Sequence, residues 1–238
     1  MHMLKPLASS FIAVLLLGLA GAALAQKAAP GKDYEVLASP QKTADPKKIE
    51  VLEFFSYGCI HCADFEPALE GWLKNKPADV TFRAVPLVFH PTWRPLAKLY
   101  YALESLGELP RLHAKVFEAV HKQNQQLTTD EAVAKWVASQ GVNPAKFEEA
   151  YNAFGVDAKI GRGADLAKAF GVTGTPTIGV NGKYMTSPSM TAKNSAAPVY
   201  PRFFEVLDEV VVLARGGPAP SAAPEKRAGE RPEKKKKS

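Results

Sequence analysis

The two cysteines of this chain are separated by two residues, at the point where an apolar segment gives way to a helical pattern. Cys59 and Cys62 follow the nearly uninterrupted apolar run of residues 49–57. Such a run is typical of a strand that is buried on both faces of a sheet. Beyond Ala63 the spacing of apolar residues becomes helical, and Pro77 ends it. The sequence therefore predicts a buried strand, a turn that carries the first cysteine, and a helix.

Two thiols at this spacing favour a redox-active pair. If Cys59 caps the helix and Cys62 is its third residue, both sulfurs lie on one face and can form a disulfide without backbone movement. Free N–H groups and the helix dipole would then lower the pKa of Cys59 below about 8.5, and His61 can add a donor or a positive charge. Stabilising this thiolate stabilises the reduced pair, which makes the disulfide a stronger oxidant.

Two other uses of the cysteines explain the sequence less well. A structural disulfide between them would add little stability, because the ring that it closes is small. A zinc site needs four ligands, and the chain has no second pair of cysteines. The other available donors are histidines: His61, His90, His113 and His121. We therefore expect neither a metal nor another cofactor.

One carboxylate, Glu53, lies inside the apolar run, six residues before Cys59. In a strand that is covered on both faces this side chain would be buried, which raises the pKa of a carboxyl group. It would then be placed to exchange a proton with the inner thiol, Cys62. The alternative is a carboxylate that reaches solvent at the edge of the strand, since glutamate is rarely fully buried.

The first 25 residues have the features of a cleaved secretory signal peptide. A basic start at Lys5 precedes an uncharged run from Phe11 to Ala25, which ends in a small-x-small site. The run is shorter than the ~20 residues that cross a bilayer. We therefore expect residues 1–25 to be removed and the mature chain to begin at Gln26. Export would place both thiols where a disulfide can persist.

The formal charge of +6 comes from the two ends of the chain. The charge arises from Lys5 and from residues 215–238, which contain eight basic and three acidic residues. The rest of the chain has 21 basic and 21 acidic residues. The body of the protein therefore has no basic excess that indicates nucleic-acid binding. Residues 215–238 are predicted to be a disordered basic tail, either solvated or resting on an anionic membrane surface.

The other patterns predict an α/β domain that is interrupted by helices. A second strand at residues 80–87 completes a strand–helix–strand unit, which should be parallel and right-handed. A later hairpin turns at Asn181-Gly182, where both residues accept the positive φ of a type I′ turn. Residues 26–91 and 164–214 are expected to form this domain, with a short edge strand at its start and a helix at its end.

Residues 92–163 show helical spacing only and predict an all-helical insertion. Thr128 or Thr129 is expected to cap one of its helices. Asn143 and Pro144 are expected to open another.

Two of these segments resemble the thioredoxin superfamily, and more closely the DsbA-type periplasmic thiol:disulfide oxidoreductases. Residues 51–57 before the CxxC resemble the central strand of that family with its buried acid. Residues 174–177, followed by 180–184, resemble its cis-proline loop and hairpin. The resemblance covers about residues 33–213 and implies a thioredoxin-like fold with an inserted all-helical subdomain.

The resemblance also implies a role for individual residues. It makes Cys59 the exposed nucleophile, Cys62 the buried resolving thiol, and Pro176 a cis-proline packed against the disulfide. The backbone of Thr175 would pair with an extended substrate, strand against strand. Ile60 is also expected to contact the substrate. The family typically has proline at this position, and isoleucine, unlike proline, does not fix φ at the first helical position.

The function implied is that of a monomeric periplasmic dithiol oxidase that introduces disulfides into exported proteins. A DsbB-type quinone-linked membrane oxidase would reoxidise it, and no nucleic acid is involved. Three alternatives stay open: an oxidase specialised for a few substrates, an isomerase or reductase that uses the same CxxC, and a thiol-independent chaperone. The segment between Ala25 and the strand that begins at Ile49 is too short for the dimerisation domain of the family's isomerases.

Overall fold

The computed structural model describes residues 27–193 and 199–217. Its strands are β1 (Glu35–Val36), β2 (Ile49–Phe55), β3 (Val80–Pro86), β4 (Thr177–Val180) and β5 (Tyr184–Thr186). Its helices are α1 (Ile60–Asn75), α2 (Arg94–Ser105), α3 (Leu109–Phe117), α4 (Asp130–Ser139), α5 (Pro144–Tyr151), α6 (Phe154–Phe170), α7 (Pro188–Ala192) and α8 (Val199–Ala214). The predicted signal peptide at residues 1–25 lies outside the described residues, as does the predicted tail from residue 218 onward.

The strands form one mixed sheet in the order β1-β5-β4-β2-β3. β2 pairs in parallel with β3, and α1 connects them, which confirms the predicted strand–helix–strand unit. β4 lies antiparallel on the other side of β2, and β5 and β1 continue the sheet to its edge. Because β2 has neighbours on both sides and layers above and below, all of its residues are buried.

The register of β2 and β4 determines which loops meet at the end of the sheet. Phe54, next to the last residue of β2, lies opposite Thr177, the first residue of β4. Because the two strands are antiparallel, the loop that enters β4 lies beside the segment that leaves β2. Thr175 and Cys59 therefore meet in space although 116 positions separate them in sequence.

Side chains of β2 alternate between two apolar layers. Val51 packs in a cluster with residues of α1 and α8, whereas Leu52 packs in a cluster with residues of α6. Successive side chains of a strand point to opposite faces, so Glu53 lies on the same face as Val51, toward α1. The sheet thus places a carboxyl group beneath the helix that carries Cys62.

The helices α2 to α6 follow β3 and pack around a core that reaches the end of β2, where it includes Phe55. Thr129 and Asn143 cap α4 and α5 as predicted, because their side chains accept backbone N–H groups of the first turn. The boundary predicted at residue 163 falls inside α6. Gly163 does not interrupt that helix; it lets α6 approach the sheet, where an added Cβ would lie 3.0 Å from Val85. One continuous helix therefore belongs to the helical block and also packs against the sheet.

Arg215, which the sequence assigned to the disordered tail, contacts the folded body. Its guanidinium group donates two hydrogen bonds to the carboxylate of Asp79, at 2.7 and 2.8 Å. The ordered part of the chain therefore extends past the end of α8. The sequence did not reveal this contact because Arg215 is followed at once by the Gly, Pro and Ala residues of the tail.

The turn between β4 and β5 has the predicted backbone. Asn181 and Gly182 have φ angles of 50° and 64°. The carbonyl of Gly182 accepts a hydrogen bond from the N–H of Gln41 at 2.7 Å. This contact draws the two backbones so close that a Cβ at Gly182 would overlap the Gln41 carbonyl.

Gly182→Ala is therefore expected to destabilise the protein by about 3 kcal/mol, since the added methyl meets both the positive φ and a backbone contact. Gly107→Ala is the matched control, because Gly107 has a φ of 71° with nothing within 4 Å of its missing Cβ. That control should lose only about 1 kcal/mol. Denaturant unfolding of both variants measures the difference, and equal losses would contradict the role given to Gln41.

Candidate active site

Cys59 is the N-cap of α1, with an extended backbone at φ −93° and ψ 116°. The N–H groups of Cys62 and Ala63 donate to its carbonyl at 3.1 and 3.2 Å. Both cysteines are free thiols in this structure. Cys59 retains 8% of its surface and Cys62 none. Cys59 is thus less exposed than the resemblance implies, although it remains the thiol that solvent reaches.

The loop before β4 accounts for the low exposure of Cys59. The Thr175 carbonyl accepts a hydrogen bond from Cys59 Sγ at 3.4 Å. The peptide bond between Thr175 and Pro176 is cis. The Thr177 hydroxyl donates to the Gly174 carbonyl at 2.8 Å, and this hydrogen bond stabilises the turn that contains Thr175 and Pro176. The fold therefore brings the Thr175 carbonyl, next to the cis peptide bond, to Cys59 Sγ.

The two thiols differ in acidity. A hydrogen bond from the Cys62 thiol is the largest cause that lowers the pKa of Cys59 to about 5, against an opposing effect of burial. The Thr175 side chain and the backbone N–H groups of Cys62 and His61 lower it further. Burial raises the pKa of Cys62, and so do its hydrogen bond to Cys59 and the nearby charges of Cys59 and Glu53. At neutral pH the outer sulfur is a thiolate and the inner sulfur a thiol.

Ile60 and His61 occupy the first turn of α1, and both are exposed. Ile60 presents 49% of its surface to solvent. His61 acts on Cys59 through its backbone N–H, whereas the sequence suggested that its ring would supply a donor or a charge. His61 also lines a groove beside Thr175 and Pro176.

Glu53 is buried, with 1% of its surface exposed. Its Oε1 atom has no hydrogen-bond partner among the described residues. Burial raises the pKa of Glu53 well above its ordinary value, and the charges of Glu66 and Cys59 raise it further. The alternative of a carboxylate that reaches solvent is wrong, because β2 lies inside the sheet rather than at its edge.

Three polar residues that the sequence did not single out for this site lie near the CxxC pair. The Tyr57 hydroxyl is 2.6 Å from His113 Nδ1, and His113 Nε2 is 3.5 Å from Glu66 Oε2. The position of Glu66 was foreseeable, because it follows Cys62 by four residues and so shares its helix face. No local signal points to His113, which comes from α3 and was considered only as a metal donor.

A groove of about 610 Å³ opens beside the loop that contacts Cys59. Much of its wall is apolar or weakly polar. Its lining includes His61, Thr175, Pro176, Met185, Met190 and Tyr200. The groove therefore runs along the Thr175–Pro176 segment, whose Thr175 carbonyl contacts Cys59 Sγ.

Neither a metal centre nor a membrane span emerges from the parts of the chain that the structure describes. Residues 27–193 and 199–217 contain no cluster of three His, Cys, Asp or Glu side chains suited to a metal ion. None of the helices in these residues combines the length and the apolar character that crossing a membrane requires. The reactive groups of this site are a thiolate, a buried thiol and a buried carboxyl group, which suit thiol–disulfide exchange.

Comparison with known proteins agrees with this geometry. A family model described as DSBA-like thioredoxin domain matches residues 50–196. A thiol:disulfide interchange protein DsbA of Burkholderia cepacia is 44% identical over 192 residues, which cover 79% of this chain and 90% of that protein. The crystal structure of Pseudomonas aeruginosa DsbA superposes with a TM-score of 0.73 at 36% identity, covering 79% of this chain and 95% of that one. The structure of the oxidoreductase DsbA from Xylella fastidiosa gives a TM-score of 0.71 at 31% identity, covering 81% and 100%. This chain therefore belongs to the DsbA-like family of thioredoxin-domain proteins.

Proposed function

We propose that this protein is a periplasmic dithiol oxidase that introduces disulfides into exported proteins through Cys59 and Cys62. The observation that carries the proposal is the difference in acidity between the two thiols. The pKa of Cys59 is lowered to about 5, while that of Cys62 is raised. A pair with one stable thiolate is more stable as a dithiol, so its disulfide readily takes electrons from a substrate.

The reaction proceeds by two thiol exchanges. A substrate thiolate attacks Cys59 Sγ in the oxidised enzyme, forms a mixed disulfide, and displaces Cys62, which takes up a proton. The second substrate thiolate then attacks the substrate sulfur of the mixed disulfide, and Cys59 leaves as a thiolate. The substrate loses two electrons and the enzyme gains two. The low pKa of Cys59 makes it the better leaving group in the second step.

Glu53 is the proposed partner of Cys62 in proton transfer. The carboxyl group lies on the α1 face of β2, and its charge raises the pKa of Cys62. Because burial raises the pKa of Glu53 and so favours its protonated form, Glu53 is able to supply the proton when Cys62 leaves. It would receive that proton again when the pair is reoxidised.

The groove beside Cys59 is the proposed site for an extended segment of substrate. Met185 and Met190 offer unbranched, polarizable side chains that adapt to different sequences. His61 and the exposed Ile60 lie at the same end of α1. The Thr175 carbonyl accepts a hydrogen bond from Cys59 Sγ only while that sulfur is a thiol. Neither the thiolate nor a mixed disulfide can donate, so in both forms the carbonyl is free to pair with the substrate backbone.

Reoxidation needs a disulfide-bearing partner, for which a DsbB-type quinone-linked membrane oxidase is proposed. The predicted signal peptide and the family support a periplasmic location for the mature chain, acting as a monomer.

The equilibrium of the Cys59–Cys62 pair with glutathione tests the direction of the reaction. We expect a reduction potential well above about −270 mV, the value for the reductant thioredoxin. The ratio of dithiol to disulfide, measured by alkylation in buffers of defined glutathione ratio, gives this potential. A potential near that of thioredoxin would support a reductase instead.

A further inference from the structure

Closing the Cys59–Cys62 disulfide requires the buried thiol to lose its proton, and Glu53 is the carboxyl group coupled to it. We propose that the buried Glu66 and the partly buried His113 form a pair that controls whether Glu53 accepts this proton. The inference rests on the proposed function. Glu66 and His113 are positioning residues in it, because they act through Glu53.

Glu66 lies on the inner face of α1. It follows Cys62 by four residues, so both side chains point to the same side of the helix, and both are buried. Glu53 faces α1 from β2 beneath it. Two carboxyl groups therefore share the layer between strand and helix. When one of them is ionised, it makes ionisation of the other less favourable.

His113 holds Glu66 from the side of the helical block. Its Nε2 is 3.5 Å from Glu66 Oε2, and its Nδ1 is 2.6 Å from the Tyr57 hydroxyl. Its ring packs on Phe55, with 5.5 Å between ring centroids. Burial raises the pKa of Tyr57 well above its ordinary value, so the phenol stays protonated and is able to donate to Nδ1. The Nε2 proton of His113 then faces Glu66.

The position of His113 is fixed by the segment that leads from β2 to the CxxC. Tyr57 binds His113 through its hydroxyl group and His121 through its carbonyl, where His121 Nε2 lies at 2.8 Å. The titratable groups around His113 are Tyr57, Glu66 and Tyr100. The titratable groups that interact electrostatically with Glu53 are Glu66, Cys59, Cys62, Tyr57 and Tyr100.

The step concerned is the second half of reoxidation. Cys59 is in a mixed disulfide with the oxidant, and the Cys62 thiol gives its proton to the Glu53 carboxylate. The Cys62 sulfur then attacks Cys59 Sγ, the bond to the oxidant breaks, and the oxidant leaves as a thiolate. The enzyme dithiol is oxidised by two electrons and the partner disulfide is reduced. An ionised Glu66 opposes the ionisation of Glu53 that this step needs, and the Nε2–H of His113, which faces the Glu66 carboxylate, adds to that opposition by stabilising its charge.

The test is the pH profile of this step, followed by rapid mixing of the reduced protein with oxidised glutathione. Glu66→Gln should shift the midpoint of the profile downward by about one pH unit, and His113→Phe should shift it downward by no more than that. With Glu66→Gln already present, His113→Phe should add no further shift. This dependence separates a role through Glu66 from a general loss of packing.

His121→Phe is the matched control, because His121 also binds Tyr57 but contacts its carbonyl. It should leave the profile in place, and the thiolate titration of Cys59 should be unchanged in every variant. An equal shift by His113→Phe in both backgrounds, or none in the wild-type background, overturns the inference. If His113→Phe does not fold, His113→Gln takes its place in the same cycle. A wild-type protein that fails to exchange with glutathione would refute the proposed function instead.

Discussion

Cys59→Ser is expected to abolish the oxidation of reduced peptides, with a rate loss on the order of a thousandfold or more. Cys59 is the thiol whose pKa is lowered to about 5 and the one that retains contact with solvent. Serine keeps the shape of the N-cap but cannot form a mixed disulfide. Single-turnover mixing of the oxidised wild-type protein and of the variant with a peptide that carries two thiols measures the loss.

Cys62→Ser separates the two cysteines in the same assay. Its Cys59 still forms a mixed disulfide with an activated substrate, but no internal thiol releases it, so this adduct should accumulate and be visible by mass spectrometry. The double variant Cys59→Ser, Cys62→Ser addresses the thiol-independent chaperone. If exported proteins still acquire their disulfides when only the double variant is present, the oxidase proposal is wrong.

The central part of the site is foreseeable from sequence because its signals are local. The run that ends at Phe55 and the helical spacing after Ala63 place Cys59 at a helix N-terminus, where backbone N–H groups face the sulfur. The burial of Glu53 follows from its apolar neighbours in the run. The direction of the pKa shift at Cys59 is therefore confirmed, and so is the direction at Glu53.

The features that the sequence did not reveal depend on contacts between distant segments. The largest cause of the low pKa of Cys59 is the Cys62 thiol rather than the His61 ring, and only the orientation of the two side chains decides that. The exposure of Cys59 depends on the loop around Thr175, which lies 116 positions away. Periodicity reports which face of a helix is buried, but not which residue it meets.

His113 shows this limit most clearly. In sequence it is one polar residue in the helical pattern of α3. In the structure it contacts β2, the segment that leads from β2 to the CxxC, and α1. The predicted boundary at residue 163 likewise falls inside α6, where Gly163 lets the helix approach Val85 of the sheet. Both features follow from packing of the helical block against the sheet, which no local pattern contains.

The reduced protein is expected to lose stability relative to Cys59→Ser as the pH falls from about 8.5 to about 5. The folded-state pKa of Cys59 is about 5, below the value of about 8.5 that a free thiol has when unfolded. A depressed pKa stabilises the folded state fully above the unfolded value, and this contribution is lost as the pH falls through the folded value. Between the two values the unfolded state binds one more proton, so the contribution changes the unfolding equilibrium by up to about tenfold per pH unit.

Guanidinium unfolding of both reduced proteins across this range measures the difference. Glu53 acts in the opposite direction, because its raised pKa gives stability at low pH that is lost as the pH rises, and the charge of Cys59 contributes to that raised pKa. The comparison is therefore repeated with Glu53→Gln in both proteins, which removes this second titration. There the stability difference should be flat below about pH 5 and grow steadily above it. A difference that does not change with pH would show that Cys59 ionises alike in the folded and unfolded chains, and the thiolate would then no longer explain an oxidising disulfide.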